Sequence, residues 1–256
     1  MIPYFSLEEI DIGFVKIQFW GLMFALGLIF GLWQFFREAK KIKIEKIVFD
    51  LALIIIVSAI AGARLYFILN ELPYFSENPL EIFKVWQGGM GFYGGLVFAV
   101  FAGFLYLKKK GIKFWLVSDI MVISLAIGEA ITRIGCFFIH DHLGKITALP
   151  WGIKYLGEVR HETSLYSFLS AIILFIVLMI LRKKKIGQKE GFLTAFYLVW
   201  YGLVSFFIYG LRATDLAGSD PVWGWLRPSQ YFSLLLLVLG LILLIKKTKK
   251  PPSLVI

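Results

Sequence analysis

The chain has 256 residues, of which 59% are hydrophobic and 17% charged, and it carries a formal net charge of +10. A mean hydropathy of +0.79 excludes an ordinary water-soluble enzyme, and the lack of alternating apolar and polar residues argues against a β-barrel. The single cysteine excludes an internal disulfide.

Seven apolar runs predict seven transmembrane helices, because about 20 apolar residues cross the hydrocarbon core of a bilayer as a helix. In chain order, the runs cover residues 14–36, 47–69, 91–107, 115–138, 165–181, 192–211 and 228–245. The connecting loops are too short to form an independent soluble domain. The sequence therefore predicts an all-α integral membrane protein in which residues 1–256 form one polytopic domain.

Basic residues collect in alternate loops between these runs. Four clusters begin at Arg37, Lys108, Arg182 and Lys246, and they hold most of the 27 lysines and arginines. The positive-inside rule places such loops in the cytoplasm. We therefore predict a protein of the cytoplasmic membrane with its N-terminus outside and its C-terminus inside. Orientation and contact with anionic membrane lipids explain the basic excess, so no nucleic-acid partner is predicted.

The loops on the opposite side are predicted to form a small extracytoplasmic cap, built from residues 70–90, 139–164 and 213–227. Three arginines, Arg64, Arg133 and Arg212, lie in the outer halves of predicted spans or at their outer ends. Charges at membrane depth usually mark a function or an ion pair.

Because a guanidinium group suits the oxygens of phosphate, we predict that the three arginines line one pocket for an anionic lipid headgroup. The alternative is that they pair with acidic residues and only hold helices together, the candidates being Glu129, Asp141 and Asp215.

A glycine-rich stretch, QGGMGFYGGLVF, opens the third run at residues 87–98 and contains Gly88, Gly89 and Gly94. Glycine lets a second backbone or a lipid approach closely. The stretch therefore indicates either a lipid-binding turn or close helix packing. It lacks the Lys-Ser/Thr ending of a nucleotide-binding loop.

Several motifs together resemble the prolipoprotein diacylglyceryl transferase family over nearly the whole chain. In order they are FWGLMFALG, GAR, VWQGGMGFYGGL, DIMVISLAIGEAITRIGCFF, RIGCFFIHDHLGKIT, RHETSLYSFL, YGLVSFFIYGLRATD and PSQYFSLLL. The resemblance implies transfer of a diacylglyceryl group from phosphatidylglycerol to the lipobox cysteine thiol of a secreted prolipoprotein. This step of lipoprotein biogenesis takes place at the outer face of the membrane and uses no cofactor.

Two alternatives to this function stay open at this point. The chain is a divergent, non-catalytic relative that binds an anionic phospholipid, or it is a transferase with a different donor or acceptor.

The resemblance also implies roles for individual residues. Arg133 and Arg212 match the essential arginines of the family, so we expect both to bind the donor phosphate, with Arg64 as a third contact. Other positions expected at the lipid headgroup or in catalysis are Gly88, Gly89, Gly94, Asp141, Gly144 and Gln230.

The chain departs from the family pattern at the general base. Tyr93 stands where the family has a histidine, and a tyrosine pKa of about 10 makes it a hydrogen-bond donor rather than a base. His140 and His142 are candidate substitutes that could take the thiol proton. The alternatives are that both are solvated loop residues, or that with Asp141 and His161 they bind a metal.

Overall fold

The computed structural model describes residues 2–216 and 219–248, so Lys249 and Lys250 of the last basic cluster lie outside the described residues. Within the chain there are two compact units. The first unit comprises Met1–Glu38 with Ser118–Ile256, and the second comprises Ala39–Val117.

The described residues form eight α-helices, of which all but α3 are long and apolar enough to cross a membrane. They are α1 (Phe19–Lys41), α2 (Val48–Asn70), α3 (Leu72–Glu77), α4 (Phe92–Lys109), α5 (Phe114–Ile139), α6 (Thr163–Arg182), α7 (Phe192–Gly210) and α8 (Pro228–Thr248). These bounds confirm the predicted seven-helix membrane protein. Basic residues occupy the last turns of α1, α4, α6 and α8, where their positive charge interacts favourably with the helix dipole.

Five short strands, which the sequence did not predict, accompany the helices of this mostly helical membrane protein. A hairpin of β1 (Glu9–Asp11) and β2 (Lys16–Gln18) precedes α1, which therefore begins at Phe19 rather than near residue 14. Residues 139–164 contain β3 (Leu143–Ile146), β4 (Ile153–Tyr155) and β5 (Glu158–Glu162), in the sheet order β3-β5-β4. Strands of three to five residues are too short to show an alternating pattern in the sequence.

Glycines bring the helices of the first unit together at backbone distance. A Cβ atom built on Gly202 of α7 would lie 2.6 Å from the Ser233 carbonyl oxygen of α8, and one on Gly240 would lie 2.7 Å from the Val199 nitrogen. Between α1 and α5, a Cβ atom on Gly27 would lie 2.6 Å from the Gly128 carbonyl oxygen. Small residues at such crossings allow the close packing that holds membrane helices together.

Two buried carboxylates fix the ends of helices in the first unit. Asp119 of α5 accepts hydrogen bonds from the Gly191 nitrogen at 2.5 Å and from the Thr194 nitrogen and hydroxyl at 2.8 and 2.7 Å, at the start of α7. Glu38 of α1 pairs with Arg182 of α6 at 2.8 Å. Each carboxylate thereby accepts hydrogen bonds from donors that would otherwise be left unpaired inside the protein.

The second unit packs α2 against α4 through glycine. A Cβ atom on Gly94 would overlap the Gly62 carbonyl oxygen and Tyr66, and one on Gly62 would overlap Phe98. At Gly94 the glycine-rich stretch therefore packs closely against a neighbouring helix, which is one of its two predicted roles.

Candidate functional site

The sheet of the first unit holds the end of α7 in place. Gly144 of β3 forms a bridge to Arg212, and the neighbouring Lys145 nitrogen donates to the Leu211 carbonyl at 2.8 Å. A Cβ atom on Gly144 would lie 2.6 Å from the His161 Cβ and 2.8 Å from the Leu211 carbonyl oxygen. Only glycine therefore lets β3 approach this closely, and the backbone position of Arg212 depends on that approach.

The Arg212 side chain is largely buried and has a different ionic partner from the one predicted. Its Nη1 donates to Asp220 Oδ2 at 2.7 Å, and its guanidinium carbon lies 4.6 Å from the centre of the Tyr209 ring. Asp215, a predicted partner of these arginines, instead pairs with Arg160. The sequence analysis missed Asp220 because it lies eight residues from Arg212, in a loop with no regular spacing.

Arg227 is a second arginine at this site, and the sequence analysis did not identify it. Its Nη2 donates to the Arg212 carbonyl at 2.8 Å and to the Ala213 carbonyl at 2.7 Å, while its Nη1 lies 3.6 Å from Asp220 Oδ2. In the sequence, its position immediately before the last predicted span was the one feature that could have marked Arg227 as a site residue. Its own backbone nitrogen donates to Gln230 at 3.2 Å, and Gln230 in turn donates to the Phe206 carbonyl at 3.3 Å.

Arg133 lines a polar cavity within the spans of the first unit. The cavity is small, with about 10 Å³ open to the centre of a water molecule, and it is bounded by residues of α5, α6 and α7, among them Glu129, Ser167, Ser170, Trp200, Tyr201, Ser205 and Tyr209. Glu129 lies one turn before Arg133, and the two form an ion pair at 3.4 Å. Tyr209 both lines this cavity and stacks against Arg212. The two arginines are therefore linked through one aromatic ring.

His140 is not the solvated loop residue that one interpretation suggested. It is buried, its Nδ1 lies 2.8 Å from Glu162 Oε2, and its Nε2 lies 3.0 Å from the Phe5 carbonyl oxygen. Glu162 also accepts from the Ser164 nitrogen at the start of α6. Both ring nitrogens are thus committed to contacts that join the N-terminal segment to the sheet.

Asp141 and His142 lie in the field of both arginines. Their side chains approach within 3.4 Å. Burial and the positive charges of Arg212 and Arg133 together lower the pKa of His142 to about 4. Burial raises the pKa of Asp141, while Arg133 and Arg212 oppose that rise. His142 is therefore neutral at neutral pH and able to accept a proton, although it is a weaker base than an ordinary histidine.

His161 belongs to a separate hydrogen-bonded group. Its Nδ1 lies 2.9 Å from the Tyr166 hydroxyl, which also accepts from the Trp151 indole nitrogen at 3.2 Å. In the described part of the chain, no three His, Cys, Asp or Glu side chains are grouped as metal ligands. The free thiol of Cys136 is buried.

In the second unit, Arg64 organises the turn before α4. It donates from Nε to the Ile82 carbonyl at 2.9 Å, from Nη1 to the Gly88 and Gly89 carbonyls at 2.8 and 3.2 Å, and from Nη2 to the Glu81 carbonyl. Gly88 and Gly89 have φ angles of +89° and +71°, which favour glycine.

Tyr93, in the first turn of α4, packs its ring edge-on against Tyr66 at 6.4 Å between ring centres. The roles of Arg64, Tyr93 and these glycines toward a lipid headgroup stay predictions. Of the predicted site residues, the structure brings together Arg133, Arg212, Asp141, His142 and Gly144 in the first unit.

The fold and this site define a class: multi-pass helical membrane proteins with an arginine in a polar cavity between the spans and further arginines beside it. Within that class, the chain belongs to the prolipoprotein diacylglyceryl transferase family, whose model matches residues 8–246.

Several bacterial proteins are similar to the chain over almost its full length. A protein of Bacillus velezensis is 34% identical, across 94% of this chain and 91% of the relative. Proteins of Bacillus cereus strain G9842 and of Bacillus anthracis are each 34% identical, across 97% of this chain and 94% of the relative. All three bear the name phosphatidylglycerol–prolipoprotein diacylglyceryl transferase.

Proposed function

We propose that this chain transfers the diacylglyceryl group of phosphatidylglycerol to a cysteine thiol of a prolipoprotein. The sulfur forms a bond to the glycerol carbon of the diacylglyceryl group as the bond from that carbon to the phosphate oxygen breaks. The leaving glycerol phosphate keeps the electron pair, and the thiol proton passes to a base. The observation that carries this proposal is membership of the transferase family along residues 8–246.

The arginines of the first unit suit the charge that this reaction develops. Arg133 faces the polar cavity, and Arg212 is linked to the cavity through Tyr209. We assign both to the phosphate, because fixed positive charges in a site of low dielectric stabilise a developing anion strongly. The remaining donor contacts that we propose are Arg64, Gly88, Gly89, Gly94, Gly144 and Gln230.

A base must remove the thiol proton, because the thiolate is the nucleophile. We assign this role to His142, which is neutral at neutral pH and lies beside Asp141. His140 is the second candidate, although it would have to exchange one of its two present contacts. Tyr93 is proposed to donate a hydrogen bond to the phosphate or to an ester of the donor.

We place the reaction at the extracytoplasmic face of the cytoplasmic membrane, with the N-terminus outside and the C-terminus inside. The basic last turns of α1, α4, α6 and α8 support this orientation. The acceptor is then the lipobox cysteine behind a prolipoprotein signal peptide. Residues 1–256 are proposed to act as one membrane domain with a small cap, and no nucleic acid takes part.

The direct test combines the purified chain, phosphatidylglycerol and a lipobox peptide in detergent or nanodiscs. Mass spectrometry should detect peptide that has gained one diacylglyceryl group. Arg133→Ala should lower the rate by at least about a hundredfold, since one charged donor at a reacting group contributes about 3 kcal/mol.

Absence of product with folded protein would contradict the assignment. If Tyr93→His alone produced the lipidated peptide, the natural chain would be a lipid-binding relative rather than a transferase.

A further inference from the structure

We propose that Arg227 is a further donor-binding residue. Together with Arg212 it forms a two-arginine anion site, in which Asp220 is an internal ligand that the phosphate of the donor displaces. This inference rests on the proposed function, and it adds to that function a residue pair, Arg227 and Asp220, at the end of α7.

The first argument is the charge count. The Arg212 and Arg227 side chains are 12% and 4% exposed, whereas the Asp220 side chain is 38% exposed. Among the residues that the structure describes, Asp220 is the carboxylate at ion-pair distance from either guanidinium group. One accessible carboxylate therefore serves two buried cations, and the site keeps a positive surplus.

A neighbouring ionic group has the opposite ratio of arginines to carboxylates. Arg160 pairs with two carboxylates, those of Glu158 and Asp215, each at 2.5 Å. That group has no surplus positive charge to offer an anion. The contrast separates a structural ion pair from a site that can still accept negative charge.

The second argument is the supply of hydrogen-bond donors. Asp220 uses one oxygen, Oδ2, toward both arginines. This oxygen accepts a hydrogen bond from Arg212 Nη1 at 2.7 Å and lies 3.6 Å from Arg227 Nη1, beyond hydrogen-bond distance. Within the described part of the chain, Arg212 Nε and Arg227 Nη1 are buried without a hydrogen-bond acceptor. Buried donors of this kind are rare, and leaving one unpaired costs about 1–3 kcal/mol. A phosphate offers more acceptor oxygens than a carboxylate bound through one atom.

The third argument is how Arg227 is held. Its Nη2 donates to the carbonyls of Arg212 and Ala213, so the guanidinium group is fixed beside Arg212 without using all of its donors. Burial lowers the pKa of Arg227, and the nearby Arg212 lowers it further, although Asp220 raises it in part. The single carboxylate thus does not offset the cost of burying Arg227.

The decisive variant is Asp220→Asn, which keeps the shape of the side chain and removes its charge. Because the internal ligand then competes less well, the KM for phosphatidylglycerol should fall about threefold to tenfold, which corresponds to about 1 kcal/mol. A KM that is unchanged or increased in folded protein would overturn the proposal, since a merely structural counterion would loosen the site on removal. Glu158→Gln is the matched control: it removes a carboxylate from the Arg160 group and should leave KM unchanged.

Arg227 is tested by Arg227→Gln and Arg227→Lys. The glutamine variant should raise KM for the donor more than it lowers kcat, and the lysine variant should restore part of the affinity by restoring the charge. If Arg227 only supported the backbone of Arg212, the two variants would lose kcat to the same extent and lysine would not rescue KM.

A binding measurement separates this proposal from the proposed transfer. The purified chain and its variants are titrated with short-chain phosphatidylglycerol, glycerol phosphate and inorganic phosphate, while thermal unfolding checks that each variant is folded. Tighter binding by Asp220→Asn supports the anion site even if no peptide is lipidated, which would count against the transfer alone. Equal binding by wild type, Asp220→Asn and Arg227→Gln overturns the anion site even if transfer occurs.

Discussion

At the scale of single residues, the chemistry of this chain depends on which partner each charged side chain finds. Arg133 and Arg212 were identifiable in the sequence because charges are conspicuous in apolar spans. Their partners were only partly identifiable. Glu129 lies one helical turn from Arg133 and follows from spacing, whereas Asp220 reaches Arg212 through the course of a loop.

His142 carries a testable pH dependence. In the unfolded chain its pKa is about 6.5, and in the folded protein it is about 4. Between these values the unfolded state binds a proton that the folded state does not, so the free energy of unfolding should fall as the pH is lowered from 6.5 to 4. Thermal unfolding midpoints of wild type and His142→Gln, measured across this range, should therefore diverge, with the wild type losing more stability.

Asp141 is present in both proteins of that comparison. Burial raises its pKa, which changes stability in the opposite sense, and its contribution largely cancels in the difference between the two curves. If the unfolding midpoints of wild type and His142→Gln changed with pH in parallel, the lowered pKa of His142 would be contradicted.

At the scale of elements, helices were predictable and short strands were not. A span of about 20 apolar residues is recognisable from its length alone. The observed helices agree with the predicted runs except for α1, which begins and ends later than its run. The strands β3, β4 and β5 are defined by pairing with one another. Pairing depends on tertiary approach, as at Gly144, where two backbones meet across residues far apart in the sequence.

Gly144→Ala tests the dependence of Arg212 on β3. The added Cβ would lie 2.6 Å from the His161 Cβ and 2.8 Å from the Leu211 carbonyl oxygen. We expect a loss of about 1–3 kcal/mol in stability, because overpacking forces backbone shifts, together with a fall in kcat/KM as Arg212 moves.

The matched control is Gly103→Ala in α4, where the new Cβ would make ordinary contacts at 3.6 Å. Thermal unfolding and the transfer assay on both variants provide the measurement. Equal stability and activity of the two variants would show that the approach of β3 is not required.

At the scale of the whole molecule, the orientation in the membrane is a prediction that rests on charge rather than on packing. Leu156, between β4 and β5, and Lys184, after α6, are both exposed and are predicted to lie on opposite sides. In a Cys136→Ala background, Leu156→Cys should react with a membrane-impermeant maleimide in intact cells whose outer layers have been removed. Lys184→Cys should react only after lysis, and the reverse pattern would invert the predicted topology.

The contact between α7 and α8 also restricts how a lipid can move within the first unit. At Gly202 and Gly240 the two backbones touch with no room for even a methyl group. The acyl chain of a lipid therefore cannot pass between these two helices at these positions. If phosphatidylglycerol binds beside Arg133 as proposed, it must reach that residue along another helix boundary.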